Sequence, residues 1–135
     1  MTLKQLLQNV DYTFVGDLNI KIKSLFFDSR KTVKNGLFFC LQGTNTNGSK
    51  FVLEAIKNGA VAVICSQKLN LNITQIVVSD VRCAMAKISS NFYGNPEQKL
   101  KIVGITGTNG KTSTSYILGH ILKHNKKQVG IIGTS

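Results

Sequence analysis

Apolar residues recur with two different spacings along the first two thirds of the chain, and this mixture is typical of an α/β domain. Helical spacing follows the capping residues Thr2 and Asp80, and it also occurs over residues 51–58. Short apolar runs, which are typical of strands, occur at residues 20–27, 37–41, 60–65 and 75–79. Gly94-Asn95-Pro96 ends the helix that Asp80 begins, so we predict a domain boundary there.

A second pattern begins after that boundary and predicts a single βαβ unit. An apolar run at residues 101–106 is followed by a glycine-bearing loop, by helical spacing over 112–123 and by an apolar run at 128–132. This order predicts two parallel strands joined by a right-handed helical crossover. One βαβ unit cannot cover both faces of a parallel sheet, so we expect the second domain to be incomplete.

The composition indicates that the chain is folded and does not cross a membrane. The chain has 135 residues, of which 42% are hydrophobic, and no apolar run approaches the length of about 20 that a membrane helix needs. The first residues contain no apolar stretch of the kind that a secretory signal requires. Cys40, Cys65 and Cys83 lie far apart among apolar residues, so we expect reduced core thiols in a cytoplasmic protein, which we expect to be a monomer.

The charge is strongly positive, and it is unevenly distributed. Lys and Arg number 17 against six acidic residues, which gives a net charge of +11. From residue 98 onward there are six lysines and no acidic residue. A nucleic-acid binder could have this balance, but the lysines are scattered, arginines are few and aromatic residues do not alternate with them. We therefore expect acidic residues outside this chain, and a small ligand that carries phosphate.

The segment from Gly104 to Ser113 carries the strongest chemical signal, because it lies between an apolar run and a helix. Its backbone N–H groups and the positive end of the helix can bind phosphate oxygens. Lys111 is in place to reach the β- and γ-phosphates as the catalytic cation, and Thr112 can ligate Mg²⁺. The strict phosphate-loop pattern requires glycine where Ile105 stands, so this is a variant.

The alternative is an ordinary turn with an incidental lysine, which the strand–loop–helix context disfavours. A phosphate loop also needs an acid that helps to hold Mg²⁺, and no Asp or Glu follows Lys111. We therefore expect the rest of the catalytic machinery to lie outside this chain.

The loop from Thr106 to Thr112 resembles the ATP loop of the Mur ligases, which add amino acids to peptidoglycan precursors. Several earlier segments are similar to the first domain of this family, and they are 27–30, 36–39, 43–48, 55–62 and 92–96. The resemblance covers nearly the whole chain. It implies the fold class α/β, with a small mixed α/β UDP-sugar domain at 1–97 and the first βαβ of a P-loop ATPase-like central domain, incomplete, at 98–135.

Within the family, Asn109 fits the enzymes that add the third residue. The resemblance then implies an ATP- and Mg²⁺-dependent ligase that joins L-lysine or meso-diaminopimelate to UDP-N-acetylmuramoyl-L-alanyl-D-glutamate through an acyl phosphate. Such an enzyme serves cell-wall synthesis, cell shape and division, and its partners are small-molecule substrates, with no nucleic acid or membrane. We expect the chain alone to be inactive. A ligase that adds the terminal dipeptide and a nucleotide-binding module without catalysis remain alternatives.

The resemblance also implies roles for particular residues. In the first domain, Phe27 packs near the uracil, Ser29 binds the uridine diphosphate end, and Thr44, Asn45 and Thr46 touch the nucleotide. The residues that bind ATP are Gly107, Thr108, Asn109, Gly110, Lys111, Thr112 and Ser113.

Ordinary structural roles compete with some of these assignments. Without the resemblance, residues 28–30 would be a polar turn at a strand end. His120 and His124 have the i, i+4 spacing of a metal pair, but we expect a solvated helix face because no third ligand accompanies them. We expect Phe92 and Tyr93 to pack at the domain boundary and not to stack on a base.

Overall fold

The computed structural model describes residues 1–31, 33–41 and 51–133. The chain divides into two compact units, Met1–Lys99 and Leu100–Ser135. Within the described ranges, no helix has both the length and the apolar character to span a membrane.

The first unit is a sheet of five strands with helices on both faces. The strands are β1 (Thr13–Val15), β2 (Ser24–Phe26), β3 (Gly36–Phe39), β4 (Ala60–Cys65) and β5 (Thr74–Val77). The helices are α1 (Leu3–Leu6), α2 (Val52–Lys57) and α3 (Val81–Phe92), with 3₁₀ turns at Ser29–Lys31 and Pro96–Lys99. The strand order is β1-β5-β4-β3-β2, in which β2 to β5 are parallel and β1 is antiparallel to β5. This confirms the predicted mixed α/β fold.

The caps that the sequence indicates are present at both predicted sites. Thr2 forms a capping box with Gln5, and Asp80 accepts from the backbone N–H groups of Arg82 and Cys83 at 2.8 and 3.0 Å. The strand at 60–65 and the helix over 51–58 are also confirmed. The polar loop expected at 43–48 lies outside the described residues.

Strand β1 is an element that the sequence reading missed. All three of its residues are exposed, so the alternation of buried and exposed positions that marks a strand is absent. The remaining signal is the aromatic and β-branched run Tyr12-Thr13-Phe14-Val15. Pairing with β5, in which Thr13 lies opposite Val77, is what makes this run a strand.

The core consists of two clusters, one on each face of the sheet, because alternate residues of a strand point to opposite faces. In β4, Ala62 and Ile64 belong to the cluster that α1 and α3 cover, whereas Val63 and Cys65 belong to the cluster that α2 covers. Both faces of the parallel strands are therefore buried, as parallel sheets require.

The expectation of three core thiols is correct at two positions. Cys40 and Cys65 are buried free thiols, and burial raises the pKa of both, to about 12 for Cys40. Cys83 is exposed, so the prediction is wrong there. It lies on α3 one residue before Ala84 and two after Val81, about 100° and 160° around the helix from them, so it falls outside the buried stripe.

In residues 100–133, the described part of the second unit, there is one helix, α4 (Lys111–His124), as predicted. The strands predicted at 101–106 and 128–132 are wrong, because neither segment forms a strand in the described part of this unit. An apolar run becomes a strand only when a neighbour accepts and donates its ladder hydrogen bonds, and no backbone bond joins these two segments.

Instead of pairing with residues 101–106, the segment at 128–132 packs against α4. Gly119 is the buried residue of α4, and a Cβ there would lie 2.8 Å from Cδ1 of Ile131. Leu118 and Leu122 are half-buried on this side of the helix, whereas Ile117 and Ile121 are 62% and 55% exposed. The apolar face predicted from helical spacing is therefore only partly covered.

Candidate functional site

The segment that carries the phosphate-loop pattern forms a loop that ends in the N-terminus of α4. Gly107 has φ 152° and Gly110 has φ 76°, and both values lie where residues with side chains are strained. A Cβ on Gly110 would meet no atom within 4 Å, so the backbone angle and not the available space requires glycine there. The glycines therefore allow the turn into the helix.

The start of α4 leaves backbone donors available to a ligand. Gly110 is the N-cap residue, and among the described residues no side chain caps the helix. The first helical hydrogen bond runs from the N–H of Thr114 to the carbonyl of Gly110 at 2.9 Å, so the N–H groups of residues 111–113 have no partner within the helix. Free N–H groups and the positive helix end together favour an anion at this position.

Lys111 places a cation over the same loop. Its Nζ donates to the carbonyl oxygens of Gly107 and Thr108, and the side chain is exposed. Phosphate oxygens could replace these two carbonyls as acceptors without any loss of a buried contact. The residues Gly107 to Ser113, which the sequence assigns to ATP, thus lie together in one loop and the first turn of α4.

A cleft of about 320 Å³ lies along α4 from its first residue. Lys111, Thr112 and Ser115 line it from the helix, and Lys101, Val103, Ile105 and residues 129–133 complete the lining. A second lysine, Lys101, also lines the cleft, and the unit contains no acidic residue that would offset these charges. The cleft suits an anionic ligand with an apolar part.

The other predicted site follows β2 in the first unit. Phe27 comes directly after the strand and is 66% exposed. Arg30 forms a forked ion pair with Asp28, with Nε to Oδ1 at 3.0 Å and Nη2 to Oδ2 at 2.9 Å. These hydrogen bonds lower the pKa of Asp28 to about 2. Asp28 and Arg30 thus satisfy one another, as in an ordinary strand-end turn.

Ser29 lies between them but faces the protein interior, with 5% of its surface exposed. Its hydroxyl donates to Oε2 of Glu54, and its carbonyl accepts from Nδ2 of Asn58 at 2.9 Å. Both partners come from α2 and its C-cap, and the sequence reading missed them. The i, i+4 spacing of Glu54 and Asn58 indicates that they share one face of a helix, but it does not predict that both contact Ser29.

A mainly apolar cleft of about 230 Å³ opens beside Phe27 at the carboxyl end of β2. Its lining consists of Leu25, Phe26, Phe27, Phe39, Met85, Ser89 and Tyr93. Phe92 is half-buried and packs against the core, as predicted. Tyr93 makes an edge contact with Phe92, with ring centroids 5.1 Å apart, and is 69% exposed, so its packing at the boundary stays a prediction. It follows the last turn of α3, where its ring lies at the rim of the cleft.

Two further predictions concern residues outside these two clefts. Thr44, Asn45 and Thr46 lie outside the described residues. His120 and His124 are exposed, as expected of a solvated helix face. Among the residues that the structure describes, no three His, Cys, Asp or Glu side chains come together in a way that could hold a metal ion.

The model of the Mur ligase family, catalytic domain, matches residues 21–93, which include the strand end, the Ser29 turn and most of the sheet of the first unit. The chain therefore belongs to the Mur ligase family. The matched residues do not include the loop at 107–113.

Curated relatives extend the likeness over both units. The chain is 46% identical over 136 residues to a UDP-N-acetylmuramoyl-L-alanyl-D-glutamate--2,6-diaminopimelate ligase from Caldanaerobacter subterraneus subsp. tengcongensis. It is 45% identical over 136 residues to the protein of the same name from Clostridioides difficile. Each alignment covers 99% of this chain and 28% of the relative, so the chain spans just over a quarter of the length of these relatives.

Solved structures with the same fold carry either this name or a different one. The UDP-N-acetylmuramoylalanyl-D-glutamyl-2,6-diaminopimelate--D-alanyl-D-alanyl ligase from Acinetobacter baumannii has a TM-score of 0.71 and 30% identity, covering 91% of this chain and 28% of that one. The MurF ligase from Thermotoga maritima, solved in complex with ADP, has a TM-score of 0.59 and 30% identity, covering 76% and 23%.

Proposed function

We propose that this chain supplies the UDP-sugar domain and the ATP loop of a ligase that adds diaminopimelate to UDP-N-acetylmuramoyl-L-alanyl-D-glutamate. The observation that carries the proposal is the loop at 107–113, in which two glycines with positive φ lead into an uncapped helix whose first residue is a lysine. The names of relatives that are 46% and 45% identical supply the acceptor and the amino acid.

In the second unit, the residues present fit ATP. The N–H groups at the start of α4 bind phosphate oxygens, and Lys111 exchanges its contacts with the loop carbonyls for contacts with the β- and γ-phosphates. Thr112 offers an exposed hydroxyl to Mg²⁺. Bound ATP supplies the phosphoryl group that activates the substrate carboxylate. The chain's own residues hold that group in place and offset its charge.

In the first unit, the turn after β2 takes the UDP end of the sugar nucleotide. Phe27 and Tyr93 both line the 230 Å³ cleft and offer exposed rings, which suits a planar base. Ser29 fixes the nucleotide beside it, together with Thr44, Asn45 and Thr46. The domains then extend over residues 1–97 and 98–135, and the protein acts in the cytoplasm as a monomer.

The choice between the two ligase reactions rests on the relatives. Proteins 46% and 45% identical over nearly the whole chain carry the name of the diaminopimelate ligase. The Acinetobacter structure, which is named for a D-alanyl-D-alanyl ligase, is 30% identical. The third-residue reaction is therefore favoured.

A chimera tests the proposal. The chain replaces the matching 28% of the Caldanaerobacter ligase, and ligation is assayed with ATP and either UDP-dipeptide plus diaminopimelate or UDP-tripeptide plus D-alanyl-D-alanine. We expect product from the UDP-dipeptide with diaminopimelate, and none from the 135-residue chain alone. A chimera that folds and binds both ligands without ligation would favour the binding module.

Lys111 provides the decisive variant within the chimera. Lys111→Ala removes the charge-assisted contacts to phosphate and should weaken ATP binding by about 10- to 100-fold. Lys123→Ala, which removes a lysine from the other end of α4, is the matched control and should leave ATP binding unchanged. Equal ATP affinity in the two variants would contradict the assignment of the loop.

A further inference from the structure

Strand β1 forms one edge of the five-stranded sheet, and its outer side is open in the described structure. All three of its residues are exposed, and the two largest, Phe14 and Val15, are 49% and 43% exposed. The strand at the opposite edge, β2, is half-buried or buried at every position. Because β1 pairs with β5 on one side, its backbone N–H and C=O groups on the other side have no ladder partner among the described residues.

The sequence of β1 suits a further strand, because it lacks the features that usually keep one away. Exposed edges are commonly blunted by lysine, by proline or by a bulge. Thr13-Phe14-Val15 contains neither lysine nor proline, and its register with β5 is unbroken from Thr13↔Val77 to Val15↔Gln75. Alternate residues point to opposite faces, so Phe14 offers apolar surface on one face and Val15 on the other. An added strand would therefore bury side chains on both faces.

Acidic residues lie at both ends of β1. Asp11 precedes the strand by two positions and Asp17 follows it by two, and both are exposed. They are two of the six acidic residues in a chain with a net charge of +11. The ion pair that the described residues form joins Arg30 to Asp28, so neither Asp11 nor Asp17 has a cationic partner within the described ranges. The N–H of Asn19 donates to Oδ1 of Asp17 at 2.8 Å, which holds that carboxylate at the end of the strand.

These two charges discriminate among the chains that could dock at the edge. If two copies of this protein paired antiparallel about Phe14, Asp11 of each would lie close to Asp17 of the other, and like charges in such positions destabilise a pair of strands. A nucleic acid would be repelled as well, and it could not form a β-ladder. A strand with lysine or arginine at both ends places an opposite charge beside each carboxylate, so it is the favoured occupant.

We propose that the outer edge of β1 is a docking site for an extended segment of a partner protein, which is apolar at alternate positions and has lysine or arginine at both ends. Main-chain hydrogen bonds to β1 supply affinity, as in other cases where a peptide adds a strand to a sheet. Asp11 and Asp17 supply selectivity, because they attract this segment and repel an acidic one. The inference is independent of the proposed function, since β1 and the turn after β2 lie at opposite edges of the sheet.

A synthetic peptide with this chemistry tests the inference. The probe is Lys-Val-Thr-Val-Thr-Val-Lys with blocked termini, and its control has glutamate in place of both lysines. NMR titration of the unchanged chain follows the amide signals of residues 12–16. We expect these signals to shift, with the lysine peptide bound about tenfold more tightly than the glutamate peptide. The net charge of +11 favours the opposite order, so equal or tighter binding of the glutamate peptide would overturn the inference.

Variants of the two flanking acids test their role in selectivity. Asp11→Asn and Asp17→Asn should each weaken binding of the lysine peptide by about two- to fivefold. Asparagine keeps the side-chain oxygen that accepts from Asn19, so the end of the strand is preserved in Asp17→Asn. Asp28→Asn makes the same change beyond β2, at the opposite edge, and is the matched control that should leave the affinity unchanged. Equal losses in all three variants would show general attraction to acidic residues and would overturn the inference.

Two further measurements separate strand addition from other kinds of contact. A lysine peptide that is N-methylated at alternate residues keeps its charge but loses the N–H donors of one edge, and it should no longer shift the signals of residues 12–16. Undiminished binding of that peptide, or shifts centred away from β1, would overturn the inference. Dilution of the chain without peptide should leave these signals unchanged. Signals that move with dilution would assign the edge to a second copy and would overturn the choice of partner.

Discussion

The two units of the chain use apolar residues in different ways. In the first unit, the apolar residues of β3 and β4 are buried on both faces of the sheet. In the second unit, apolar runs of similar composition leave Ile102, Val103, Ile117 and Ile132 exposed. The difference follows from pairing, because β3 and β4 each have a strand on either side and residues 101–106 and 128–132 form no ladder in the described structure.

The candidate sites of the two units are also built in different ways. In the first unit, contacts between residues distant in sequence build the site, as when Glu54 binds Ser29. In the second unit, consecutive residues of one loop and one helix end build it. A phosphate loop can therefore be recognised from sequence alone, whereas a side chain that positions Ser29 cannot.

The largest expected difference between the units is the effect of shortening an isoleucine. Ile64→Ala leaves a cavity in the core of the first unit and should lower the free energy of unfolding by about 2–5 kcal/mol. Ile117→Ala changes an exposed residue of α4 and should alter it by less than about 0.5 kcal/mol. Urea unfolding of both variants measures this, and equal effects would contradict the comparison.

Glycines provide the next contrast. A Cβ on Gly36 would lie 1.9 Å from Cε1 of Phe26, which is buried and packs against Phe38 with ring centroids 5.7 Å apart. Gly36→Ala should therefore destabilise the first unit by about 1–3 kcal/mol. A Cβ on Gly104 would meet nothing within 4 Å, so Gly104→Ala is the control and should change thermal stability little. A stable Gly36→Ala variant would contradict the tight packing at β2.

Alkaline pH should destabilise the first unit through Cys40. Burial, with a smaller contribution from Cys65, raises the pKa of Cys40 from 9.0 to about 12. Between these values the unfolded thiol has lost its proton and the folded thiol has not, so the free energy of unfolding falls as pH rises, by about 1.4 kcal/mol per pH unit. Cys40→Ala should reduce this slope, whereas Cys83→Ala, at an exposed position, should retain it.

The smallest effect is expected at the exposed ion pair of the strand-end turn. Hydrogen bonds from Arg30 lower the pKa of Asp28 from 3.8 to about 2. The stability that this pair contributes is present above pH 3.8 and is lost as the pH falls toward 2. Asp28→Asn and Arg30→Gln should each remove that part of the acid dependence, as acid unfolding curves would show. Curves that match those of the unchanged chain would contradict the pairing.

Local patterns predicted the elements that depend on neighbouring residues. The caps at Thr2 and Asp80, the strand at 60–65 and the helix after Gly110 are all present. What the sequence could not reveal depends on distant pairing. Strand β1 exists because β5 lies beside it, and Glu54 reaches Ser29 across 25 positions of the chain. The exposure of Cys83, in contrast, could have been predicted from the sequence, because the helical period of α3 places this residue outside the buried stripe.

The central claim is that the two units bind different parts of the reaction's ligands. NMR titration of the 135-residue chain with UDP-N-acetylmuramoyl-L-alanyl-D-glutamate and, separately, with ATP and Mg²⁺ tests it most directly. We predict that the sugar nucleotide shifts the amide signals around Ser29 and Phe27, and that ATP shifts those of residues 107–113. ATP that leaves the loop signals unchanged, or two ligands that shift the same set of amides, would contradict the claim.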